Sequence, residues 1–154
     1  MIDNSEHVAR VIFEPKMVYE GRLLDAAFVL RPQISESYYS VLRLSIDSWK
    51  EDIVRIPTHK NRRLWGYADM PVKDIREIDL EYVTFDVVAV DNASMPSHAG
   101  IIVTVNGKCL IGGEKPNNLP GNVTADFVLL AIRTQLIELA QRRLCQWNQY
   151  GEYV

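Results

Sequence analysis

The sequence predicts an α+β fold: a mostly antiparallel sheet packed by one long C-terminal helix, with short helices elsewhere. Three observations predict it. Residues 100–105 and 108–112 are apolar runs joined by Asn106-Gly107, the dipeptide best suited to a two-residue hairpin turn with positive φ at both positions. Residues 38–46, YYSVLRLSI, alternate from side to side and are rich in β-branched and aromatic residues. Residues 125–146 carry a wide apolar stripe at helical spacing. Strands followed by one long helix, within 154 residues, fit a single α+β domain over residues 1–154.

The elements follow in order. Residues 8–13, VARVIF, read as a strand with Val11 and Phe13 on one side and Arg10 and Ile12 on the other, closed by Pro15. Residues 21–28 fit either helical turns or an irregular approach to the next strand. In 38–46, Leu42, Leu44 and Ile46 share one face, and Tyr39, Val41, Arg43 and Ser45 the other. Ser48 stands three residues before Glu51, the spacing of a capping box, so a short helix is expected over 49–55, stopped before Pro57. Residues 58–66, THKNRRLWG, read as a basic loop. Pro71 opens a second short helix through Val72, Ile75 and Ile78. Residues 83–90 are a strand, and the hairpin after it is apolar on both sides near its middle, which predicts cover on both faces or a place inside the sheet. Residues 114–122 are rich in turn formers, and Thr124 is placed to cap the final helix.

Composition bounds the function. The net charge of -3 weighs against a dedicated duplex-binding protein. No apolar run approaches the length of a membrane span, and the opening MIDNSEHVAR lacks the apolar core of a secretory signal. Cys109 and Cys145 are not spaced for a metal, so buried reduced thiols in a cytoplasmic protein are expected. His7, His59 and His98 are scattered, which gives no metal site. Gly112-Gly113 leads into a loop rather than a helix, so no phosphate loop or dinucleotide fingerprint is present and no cofactor is expected.

Candidate sites are few. The segment 91–100, DNASMPSHAG, offers His98 as an acid/base, with Asp91 to orient it and Ser97 or an external water as nucleophile. Ser97 and His98 are neighbours, a poor arrangement on a strand, where they face opposite ways. A loop ordered by its own polar residues is the plainer reading. Arg10 and Arg43 are candidates to hold an anionic ligand by the planar guanidinium fork, against pairing with a nearby acid. Lys60, Arg62 and Arg63, with Trp65 beside them, could contact single-stranded nucleic acid by charge and stacking. The alternative there is a solvated loop anchored by Trp65. Leu144, Trp147, Tyr150 and Tyr153 at the end of the last helix suggest a contact with a partner or a second copy, against closing the core edge.

These readings rank as follows. First is an accessory or interaction domain, non-catalytic and self-associating through the C-terminal helix. Second is a small hydrolase or group transferase that acts on an anionic ligand, with His98 as acid/base. Third is a weak single-strand binder through the segment 59–63.

Overall fold

The structure, a computed structural model, describes residues 1–58 and 61–148. In chain order the elements are β1 (His7–Glu14), β2 (Val18–Tyr19), β3 (Arg22–Leu23), β4 (Tyr39–Arg43), α1 (Trp49–Arg55), β5 (Arg63–Pro71), α2 (Val72–Arg76), β6 (Val83–Ala89), β7 (His98–Val105), β8 (Lys108–Cys109), α3 (Ala125–Gln141) and β9 (Leu144–Gln146). The main sheet runs β6-β7-β4-β1-β5-β9, with β8 also paired to β7, and every pairing in it is antiparallel. This is the α+β arrangement expected.

Alternation along each strand divides the side chains between two faces. One face carries Val8 and Ile12 of β1, Val41 of β4, Met70 of β5, Phe85 and Val87 of β6, and Ile101 and Val103 of β7. Against it pack Val72 and Ile75 of α2 and Val128, Ile132, Leu136 and Leu139 of α3. The opposite face carries a smaller core of Ala9, Val11, Phe13, Leu42 and Tyr67, covered by Ile53 of α1. Trp49, Tyr67 and Trp147 meet edge to face there, with ring centroids 5.1–6.2 Å apart. Over β6 and β7 this second face has no helix on it: Thr84 and Asp86 are exposed, and Val88, Ile102 and Thr104 half-buried.

The hairpin turn is as predicted, with φ of 52° at Asn106 and 83° at Gly107, and Val105 opposes Lys108. β7 is interior to the sheet, but its second face is only partly covered. β8 ends at Cys109, short of the expected residue 112: the Leu110 N–H still donates to the Val103 carbonyl (2.8 Å), but the Gly112 N–H donates to the Glu36 carbonyl (2.8 Å) instead. Cys109 is exposed rather than buried, and Cys145 is half-buried; both are free.

Other expectations need correction. Residues 63–71 form a strand, not the end of a loop. β5 pairs with β1 from His7↔Pro71 to Glu14↔Arg63, with one register shift between Ile12 and Phe13 that passes over Trp65. Its glycine explains the misreading. A Cβ at Gly66 would lie 2.0 Å from the Cys145 carbonyl oxygen, so Gly66 is where β9 comes closest. The final helix, capped by Thr124 Oγ1 on the Phe127 N–H (3.2 Å), stops at Gln141 rather than near 146. Residues 144–146 turn back as β9 and pair with 66–68. The capping box before α1 does not form; Ser48 Oγ donates instead to Asp52 Oδ2 (3.2 Å). Residues 21–28 prove to hold β3, which forms a hairpin with β2, followed by a 3-10 turn over Asp25–Ala27.

The outer edge of β6 is covered by side chains. Arg76 at the end of α2 donates from Nη2 to the Val87 carbonyl (3.1 Å) and from Nε to Asp86 Oδ1 (2.8 Å). The same Asp86 oxygen accepts the Val87 N–H (2.7 Å). Among the described residues no helix is long and apolar enough to cross a membrane.

Candidate functional site

His98 is the first residue of β7, not part of the preceding loop, because it pairs with Leu42 on β4. Pairing fixes its direction: directly opposed residues share a face, so His98 shares the α1-covered side of the sheet with Leu42. Its Nε2 lies 3.3 Å from Ser40 Oγ, and its buried Nδ1 has no hydrogen-bond partner. The Tyr38 ring meets it edge to face at 5.8 Å. Tyr38 also lies over Gly100, where a Cβ would come within 2.7 Å of the ring, so glycine is what leaves room for it. Burial pushes the His98 pKa below the ordinary histidine value. The imidazole is therefore neutral at pH 7.

Its expected partners are elsewhere. Ser97 is fully buried, and its Oγ donates to Asp52 Oδ2 at 2.6 Å, as does its N–H at 3.1 Å. Asp52, on α1, was not foreseen as important. It is 0 % exposed and ties the 91–97 loop to the helix. Burial raises its pKa, but the bonds from Ser97 and Ser48 outweigh this and hold it below the ordinary carboxylate value. Asp91 is exposed, and among the described residues His98 has its hydrogen bond with Ser40 rather than with Asp91. Only a serine four residues upstream of the aspartate, on the same helix face, hinted at this cluster.

Arg43 lies across the sheet from His98. It opposes Val8, on the α3 side, while its neighbour Leu42 opposes His98. Its Nε and Nη2 each donate to Glu6 at 3.0 Å, a bidentate pair, and Ser45 Oγ donates to the same carboxylate at 2.7 Å. The Arg43 guanidinium and these bonds hold the Glu6 carboxyl down at about 2. Arg10 shares the α3 side but goes a different way. Its Nε donates to the Ala27 carbonyl and its Nη1 to the Ser40 carbonyl, both at 2.9 Å. The structure thus does not bring Arg10, Arg43 and His98 to one place.

The basic segment is largely engaged. Arg62 stacks 3.8 Å over the Phe13 ring and donates to the Pro57 carbonyl, and Arg63 pairs with Glu14 at 3.3 Å. Trp65 is half-buried against the larger core. His59 and Lys60 lie outside the described residues. So do Tyr150 and Tyr153, while Leu144 and Trp147 close the sheet rather than extend a helix. His7 is ordered on β1, with Nδ1 2.6 Å from Asp69 Oδ1. Among the described residues no three His, Cys, Asp or Glu side chains gather as a metal site would require. A shallow groove of about 60 Å³ lies at the hairpin, between Lys108, Cys109 and Asn118, and none of the candidates above lines it.

Compared with protein-family models, curated proteins and solved structures, the chain matches none.

Proposed function

We propose that the chain is a non-catalytic interaction domain that self-associates through the outer row of α3. One observation carries the reading. Phe127 is 67 % and Leu130 51 % exposed, on successive turns of the helix. Further along the row stand Thr134 and Glu138, both exposed. Leu24 and Val29 are also exposed, on the segment whose Asp25 pairs with Arg133 of α3. Large apolar side chains left in water are what contact surfaces use. The contact row thus lies on the helix itself, earlier in the chain than the aromatic residues near its end.

Light scattering over a range of concentrations tests it. The expected result is a mass that rises above 17.6 kDa with concentration and returns to the monomer value in a Phe127→Glu, Leu130→Glu variant. A monomer at every concentration overturns self-association.

A second reading keeps His98 as an acid/base in a small hydrolase or group transferase. What favours it is a neutral, half-buried imidazole beside the Ser40 hydroxyl. Its anionic subsite would have to come from residues other than Arg43.

A further inference from the structure

We propose that the surface beside the Asp25–Ala27 turn is an oxyanion site, where Arg10 and Arg133 hold a carboxylate or phosphate group. The inference does not depend on self-association.

Arg10 sits in the middle of β1 and is locked in place. The Ala27 and Ser40 carbonyls each accept from it at 2.9 Å, and its Cζ stands 5.3 Å from the Phe28 ring centroid and 6.0 Å from that of Tyr39. A guanidinium has five N–H donors. Among the described residues Nη2 has no acceptor, and it is not sealed from solvent. Arg43 and Arg76, also half-buried, have carboxylates, Glu6 and Asp86, whereas Arg62 has the Pro57 carbonyl and the Phe13 ring. Among the described residues Arg10 has no carboxylate at ion-pair distance. Glu36, which bears on it electrostatically, is already bound to the Arg31 guanidinium and N–H, both at 3.0 Å.

A cation withdrawn from water with no carboxylate at ion-pair distance is costly. Burial accordingly pushes the Arg10 pKa down to about 10, which still leaves it charged at pH 7.

Arg133 reaches the same turn from α3. Its Nη2 is 3.8 Å from Asp25 Oδ2, a long contact to a carboxylate that is 78 % exposed. Its Nε is buried and has no acceptor. Arg10 meets the turn at the Ala27 carbonyl and Arg133 meets it at Asp25, two residues apart, and the charge of both is felt at the Tyr39 hydroxyl. Two cations with spare donors therefore meet one turn, whose single acid is solvated and makes only a long contact to Arg133. A planar or tetrahedral oxyanion accepts from arginine forks with the geometry that a lysine point charge lacks.

The test is a ¹⁵N NMR titration of the arginine Nε–H signals, with inorganic phosphate and with sodium acetate in separate series at constant ionic strength. Saturating shifts are expected at Arg10, Arg133 and the amides of residues 25–28. Arg133→Gln, with an otherwise unchanged amide spectrum, should weaken binding at least tenfold. The anion that saturates at lower concentration identifies the group as phosphate or carboxylate. The proposal is overturned if neither anion saturates, if surface arginines such as Arg22 and Arg142 shift equally, or if Arg133→Gln binds as tightly as the parent.

Discussion

The two faces of the sheet are built differently. The α3 side is closed by apolar contact over β1, β4, β5, β6 and β7. The α1 side is closed over β1, β4 and β5 and stays open over β6 and β7. On the first side, order comes from area removed from water, and polar groups such as Arg10 are held by carbonyls. On the second, a buried carboxylate does much of the fixing, because the seven residues of α1 supply little apolar area. The difference teaches where substitutions should be severe and where they should act locally.

The largest effect is expected from truncating the broad core. Leu136, 0 % exposed on α3, is surrounded and cannot relax toward solvent. Leu136→Ala should cost about 3–5 kcal/mol in urea unfolding. Ile53→Ala on the thinner side should cost less, about 2–3 kcal/mol, since half-buried neighbours can settle into the space. Equal costs would break the comparison.

Next comes Asp52→Ala, which leaves the Ser97 N–H and hydroxyl without their buried acceptor. A loss of about 2–4 kcal/mol is expected. Hydrogen exchange should show it concentrated at residues 92–97, with the α3 amides protected as before. Uniform loss of protection would mean that the two sides melt as one body.

The smallest effect belongs to the rim of the broad side. Glu6→Gln breaks the bidentate pair with Arg43 and should cost about 1–2 kcal/mol at pH 7. The folded Glu6 carboxyl titrates near 2 instead of the ordinary 4.5, so its contribution is complete above about pH 5. It is lost as pH falls from there toward 2, as the folded form takes up the proton. The variant should lack that part of the acid slope in a pH series of unfolding midpoints.

The sequence carried the periodic parts of this picture well. Val83–Ala89, the Asn106-Gly107 turn and the start of α3 depend on neighbours along the chain, and local pattern is enough for them. β5 was illegible because its interior glycine and basic start argue locally against a strand, while β1 and β9 on either side impose one. The end of α3 was illegible for a similar reason. Apolar spacing continues through Leu144, but pairing with Ala68 claims that residue for a strand. In the candidate sites, His98 and Arg10 were visible as residue types. Their partners were not: Asp52 meets Ser97 across 45 positions and Glu6 meets Arg43 across 37, and no local pattern carries such pairs.

The capped edge of β6 has a consequence for how copies of this molecule can meet. An end strand with bare amides and carbonyls is a template on which another chain can add, with little regard for sequence. Here Arg76 and Asp86 occupy the Val87 groups that such an intruder would need. Main-chain recruitment at Val87, midway along that edge, is blocked, so association there is left to side chains, which can discriminate between one neighbour and another.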